Sequence, residues 1–154
     1  MYSYKKIINN LIKKKLSISF AESCTGGQLS KIFTDIPGIS KIFEMAFITY
    51  SNKSKILLLK IPPDLLKKYG AVSEKIAYQM SNNLFKISKS KICVSTTGIA
   101  GPTGGTLKKP VGLVYIGITF DKKTLVFKKN FLGGRKKIQK DTVIFCLEEI
   151  NKLL

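Results

Sequence analysis

The sequence predicts an α/β protein, three-layer α/β/α, with helices on both faces of a mixed sheet of about five strands. Short β-branched and aromatic runs alternate with longer segments of helical periodicity, and Gly, Pro, Asn and Asp clusters separate them. The last two apolar runs stand too close together for a crossover helix, so the sheet cannot be wholly parallel. With 154 residues, 44% of them hydrophobic, the chain suffices for one core and is short for two, so a single domain over residues 1–154 is expected.

From Tyr4, the residues Ile8, Leu11 and Ile12 mark the apolar face of a first helix, with lysines opposite, suited to covering the sheet. Residues 16–20 alternate with period two and read as the first strand. Beyond Ala21-Glu22-Ser23-Cys24-Thr25-Gly26-Gly27, Leu29, Ile32 and Phe33 take up helical spacing, which puts Ser23 on a strand-to-helix turn. Asp35-Ile36-Pro37-Gly38 is a turn, and a short helix is expected over residues 40–43. Residues 45–50 read as a second, largely buried strand, after which Ser51-Asn52 offers an N-cap for a helix running through Lys55 to Leu59.

Pro62-Pro63-Asp64 opens a short helix that stops near Gly70. Ser73-Glu74 opens a longer one with Ile76, Ala77, Met80, Leu84 and Ile87 as core positions. Residues 91–97 form the third strand, and a glycine-rich loop, Gly98-Ile99-Ala100-Gly101-Pro102-Thr103-Gly104-Gly105, extends from it to Pro110. A loop of that length is usually functional. Residues 111–120 and 125–131 make an antiparallel hairpin turned at Asp121-Lys122-Lys123. Gly133-Gly134 then breaks the chain before a last helix carrying Val143, Cys146, Leu147, Ile150, Leu153 and Leu154 on one face.

Composition narrows the function. The amino-terminal start from Met1 to Asn10 has no apolar core of secretory length and no later run approaches a membrane span, so a cytoplasmic protein is expected, with no membrane partner. Three scattered cysteines make neither a disulfide framework nor a zinc spacing, and no metal site is expected. The net charge of +18 invites nucleic acid, but of the 27 basic residues only Arg135 is arginine and the lysines are spread through every segment. Solvated faces account for such charge better than a localised phosphate reader does. The chain has no histidine, which removes Ser-His-Asp and Cys-His catalysis together.

A hydrolytic base must then be Lys, Asp, Glu or Tyr. Lys55 stands out by position: it lies in the first turn of a helix, where the macrodipole disfavours a cation and favours the neutral amine that a base requires. If the first three strands run parallel, the loops after Phe20, Tyr50 and Thr97 gather on one edge, where open α/β sheets place ligands. Ser23 is then a nucleophile or merely a helix cap, and Tyr50 a proton relay or merely a core aromatic. Cys24 has no histidine to activate it and is expected to pack behind the turn. The backbone amides of Thr25, Gly26 and Gly27 suit a phosphate or an oxyanion.

Several ordered motifs carry a resemblance: Ala21 through Gly27; Thr49-Tyr50-Ser51-Asn52 with Lys55; Gly70-Ala71-Val72-Ser73; Thr97-Gly98-Ile99-Ala100-Gly101-Pro102 with Gly104-Gly105; and Lys109-Pro110-Val111-Gly112. Together they resemble the CinA carboxy-terminal domain family, the nicotinamide-nucleotide amidohydrolases, over nearly the whole chain and in a form without the family's frequent amino-terminal domain. The resemblance implies the mixed-sheet α/β/α fold and hydrolysis of nicotinamide mononucleotide, a small-molecule nucleotide, to nicotinate mononucleotide and ammonia in pyridine nucleotide salvage, with no cofactor. Ser23 would be the nucleophile, with Lys55 and Tyr50 beside it. Gly26 and Gly27 would hold the oxyanion. Thr97, Gly98, Ala100, Gly101, Gly104 and Gly105 would cradle the ribose phosphate, with Lys109 as counter-charge. The resemblance also admits a homo-oligomer.

Overall fold

A computed structural model describes residues 4–154; Met1, Tyr2 and Ser3, the start of the stretch read against a secretory leader, lie outside the described residues. Five strands, β1 (Ile18–Glu22), β2 (Phe43–Ile48), β3 (Ile92–Gly98), β4 (Leu113–Phe120) and β5 (Lys123–Asn130), form one sheet in the order β2-β1-β3-β4-β5. β1 pairs parallel with both β2 and β3, whereas β4 pairs antiparallel with β3 and β5. The connection between β4 and β5 is only Asp121 and Lys122, both at positive φ (50° and 64°), the backbone that suits the twist of a two-residue hairpin.

Among the described residues six helices cover the sheet: α1 (Tyr4–Lys13), α2 (Gln28–Thr34), α3 (Asn52–Leu59), α4 (Pro63–Tyr69), α5 (Glu74–Ser88) and α6 (Arg135–Asn151). Side-chain parity along the strands sorts them into two layers. Ile18, Phe20, Ile92, Val94, Ile116 and Ile118 share one cluster with Ile8 and Leu11 of α1, Leu29 and Phe33 of α2, and Val143, Cys146 and Ile150 of α6. Ala21 and Cys93 point the other way, into a cluster with Leu59 of α3, Leu66 of α4 and Ile76, Met80 and Leu84 of α5. The second face is lined with smaller groups, which lets α5 approach closely. A Cβ at Gly117 would stand 2.5 Å from the Ala77 carbonyl oxygen, so only glycine fits there.

The architecture is the one the sequence predicts, and the departures have local causes. The first strand spans residues 18–22 rather than 16–20 and is buried at every position, because a central strand covered on both faces has no solvent side to enforce alternation. The turn before β2 is a 3-10 segment, Ile39–Lys41, and β2 already begins at Phe43. Ile87, expected in the core, is 40% exposed. The inward positions of α5 run Ala77, Ser81, Leu84, Ser88, and Ser81 donates to the Cys93 carbonyl at 2.9 Å, so the next inward step falls on Ser88. α6 closes at Asn151, leaving Leu153 and Leu154 beyond it, half-buried against the same core.

Candidate active site

Because β1, β2 and β3 run parallel, their carboxyl ends open on one edge of the sheet and deliver Ser23, Tyr50 and Thr97 to it. A cleft of about 170 Å³ there is lined by Ser23, Cys24, Tyr50, Lys55, Ala71, Val72, Thr97, Gly98, Ala100 and Arg135. A wider groove of about 490 Å³ between α1 and α6 is lined by Tyr4, Ile7, Lys140, Ile144, Leu147, Glu148, Asn151 and Lys152 and by no serine, threonine or cysteine, so the smaller cleft is the candidate site.

Ser23 follows β1 directly and is held by its own amide, which donates to the Thr96 carbonyl at 3.0 Å. Its hydroxyl, in a residue only 8% exposed, lies 3.2 Å from Lys55 Nζ. Lys55 sits in the first turn of α3, whose N-cap is Ser51, with the Ser51 side chain accepting from the Ser54 amide. The lysine is 1% exposed, and its amine donates to the Thr49 carbonyl at 2.7 Å. No carboxylate lines the cleft. Burial therefore pushes the Lys55 amine down from 10.5 to about 8. Its charge costs desolvation without a counter-ion, the condition for a lysine that works as a base near neutral pH.

Cys24, the rival nucleophile, touches the cleft but is only 5% exposed, and burial pushes its thiol up to about 12, leaving it protonated and inert. Tyr50 lines the cleft but is no core aromatic: it is 59% exposed, and its hydroxyl accepts from Arg135 Nη2 at 2.8 Å.

The Gly26 and Gly27 amides expected to hold an oxyanion are engaged inside the protein. The Gly26 N–H donates to the Ser23 carbonyl at 3.1 Å, and the Gly27 N–H donates to Glu22 Oε2 at 2.9 Å. Thr25 is fully buried, its hydroxyl donating to the same Glu22 oxygen at 2.6 Å. Glu22 also accepts from the Leu29 and Ser30 amides, at 3.2 and 2.7 Å, and from the Ser30 hydroxyl. A fully buried carboxylate thus occupies the start of α2, where free N–H groups and the helix dipole favour an anion, and it fixes the turn that presents Ser23. Glu22→Gln, which turns an N–H donor toward those amides, is expected to cost about 2–4 kcal/mol in urea unfolding, as buried donors lose their acceptor.

The glycine loop is likewise only partly at the site. Thr97, Gly98 and Ala100 line the cleft, with the Thr97 hydroxyl donating to the Ala71 carbonyl at 2.8 Å. Gly101 offers its carbonyl to Arg135 Nη1 at 2.8 Å. Gly104 and Gly105 do not line the cleft; Gly105 packs where a Cβ would come within 2.8 Å of the Val111 nitrogen. Lys109, expected as a phosphate counter-charge, is not a lining residue: its amine donates to the Tyr69 carbonyl at 2.7 Å and pins the loop to the end of α4. The guanidinium that does line the cleft is that of Arg135. Its being the sole arginine of the chain was the available signal, and an acid just ahead of a helix start was the signal for Glu22.

The model of the CinA C-terminal domain matches residues 2–154. The chain belongs to the CinA C-terminal domain family. A CinA-like protein of Endomicrobium trichonymphae is 49% identical over 94% of this chain, and a putative competence-damage inducible protein of Thermoanaerobacter pseudethanolicus is 44% identical over 96%. The chain spans about a third of the length of these curated relatives, 34% and 36% respectively. Among solved structures, the competence/damage inducible protein CihA of Agrobacterium tumefaciens superposes with a TM-score of 0.92 at 34% identity, over 97% of this chain and 94% of that one. The CinA-type fold therefore extends over the sheet and helices described above. Among the described residues, no helix is long and apolar enough to cross a membrane, and no group of His, Cys, Asp and Glu is placed to hold a metal.

Proposed function

We propose that the cleft hydrolyses a linear carboxamide, with nicotinamide mononucleotide as substrate and nicotinate mononucleotide and ammonia as products, in pyridine nucleotide salvage. The observation that carries this reading is the buried Lys55 amine 3.2 Å from the Ser23 hydroxyl, with no histidine in the chain to serve instead. The resemblance of the ordered motifs to nicotinamide-nucleotide amidohydrolases supplies the substrate.

Neutral Lys55 takes the Ser23 proton as Ser23 Oγ attacks the carboxamide carbon, giving a tetrahedral adduct and an ammonium on Lys55. Collapse breaks the C–N bond, and the leaving nitrogen departs as ammonia with the proton returned from Lys55, along a path that the Tyr50 hydroxyl at the cleft mouth is suited to relay. Water, deprotonated by the again neutral Lys55, attacks the acyl ester on Ser23 and releases the carboxylate.

Purified protein given nicotinamide mononucleotide is expected to release one ammonia per mononucleotide consumed, read by coupled oxidation of a reduced nicotinamide dinucleotide. Binding of the mononucleotide without ammonia, or DNA binding that falls steeply with salt, would instead make the chain a binding module of the same fold.

A further inference from the structure

We infer that Arg135 is a positioning residue whose guanidinium fixes Tyr50 over the cleft and aims its hydroxyl proton inward. The inference rests on the amidohydrolase reading for its chemistry and on geometry of its own. Arg135 opens α6, and its two terminal nitrogens reach acceptors on two different loops: Nη1 donates to the Gly101 carbonyl after β3, and Nη2 to the Tyr50 hydroxyl after β2, each at 2.8 Å. One rigid fork therefore ties together three segments that surround Ser23.

Tyr50 needs such a tie. At 59% exposure, little packing restrains its ring, yet it lines the same cleft as Ser23 and Lys55. A phenolic oxygen that accepts from a guanidinium keeps its own O–H free to donate elsewhere, which is the polarity a relay to a leaving nitrogen requires. A lysine has one point of charge and no fixed fork, so it cannot hold both acceptors in this geometry. The chain uses lysine at every other basic position, 26 of 27, and arginine only here.

The test compares Arg135→Ala, Arg135→Lys, Tyr50→Phe and the double variant Arg135→Ala/Tyr50→Phe. With nicotinamide mononucleotide, Tyr50→Phe, Arg135→Ala and Arg135→Lys are each expected to lower kcat by about tenfold or more and to move KM by less than about threefold, the pattern of a contact realised in the transition state. The double variant should be no slower than Tyr50→Phe alone, because the arginine acts through that hydroxyl. Losses that multiply would overturn the inference. So would a rise in KM with kcat kept that disappears when nicotinamide riboside, lacking the phosphate, is the substrate, since the guanidinium would then be holding the phosphate itself.

A second arm needs no turnover. In protein labelled with 3-fluorotyrosine, the fluorine resonance assigned to Tyr50 by its loss in Tyr50→Phe should shift and sharpen in Arg135→Ala as the ring is freed. An unchanged resonance overturns the tie whichever substrate the protein accepts. A wild-type protein that releases no ammonia while this resonance responds removes the substrate reading and leaves the tie standing.

Discussion

Ser23→Ala and Lys55→Met are each expected to lower ammonia release from nicotinamide mononucleotide by at least about a thousandfold, because nucleophile and base act as one proton-transfer unit. The same reasoning makes the effects non-additive: the double variant should be no slower than either single one, since removing one partner already disables the other. Neither change should unfold the protein. Ser23→Ala removes one oxygen from a nearly buried residue, and Lys55→Met keeps the length of the side chain while relieving a buried amine of its desolvation. What Lys55→Met leaves behind is a Thr49 carbonyl without its 2.7 Å donor, a cost of about 1–3 kcal/mol against that relief. Thermal unfolding of both variants should therefore stay cooperative while turnover vanishes. Turnover within about tenfold of wild type in either would move the chemistry to other residues.

The fold was legible where the chain repeats a simple physical pattern. Helical spacing of apolar residues found α1, α5 and α6, and the short distance from Phe120 to Leu125 found the antiparallel hairpin, because a two-residue turn leaves no other pairing. It was not legible where burial is two-sided. Ile18, Ser19, Phe20, Ala21 and Glu22 are all buried, so neither alternation nor polarity marks where β1 ends.

The site divides along the same line. Ser23, Tyr50, Thr97, Gly98 and Ala100 line one cleft because each lies at or just after a strand end, and parallel strands bring those ends together. Lys55 was singled out for its place in a helix's first turn, but the larger effect on its amine is burial, which local sequence does not encode. Arg135 stands out in sequence as the sole arginine, but its role does not: its contact with Tyr50 spans 85 residues and depends on how α6 packs against α1 and α2. The engagement of Gly26 and Gly27 by Ser23 and Glu22 is equally a product of the folded turn, and a glycine pair alone cannot tell a ligand cradle from a filled one.

The rate of deamidation is expected to climb about tenfold per pH unit from pH 6 and to level off near pH 8, because only the neutral Lys55 amine can take the serine proton and burial pushes that amine down to about 8. The limb should appear in kcat/KM, which reports the free enzyme. Folding stability should move in the same direction over a higher window. Unfolded, the amine returns to its ordinary value of 10.5, so between about pH 8 and 10.5 the unfolded chain binds the proton that the folded chain has given up. Stability must then increase as pH rises through that window, by roughly 3 kcal/mol in all, and below pH 8 this contribution is absent because both states are protonated. The decisive quantity is the difference between wild type and Lys55→Met in urea unfolding at pH 7.5 and pH 10. Wild type should gain on the variant as pH rises. A rate limb centred near 10.5, with no such gain, would return Lys55 to the behaviour of a surface lysine and remove it as the base.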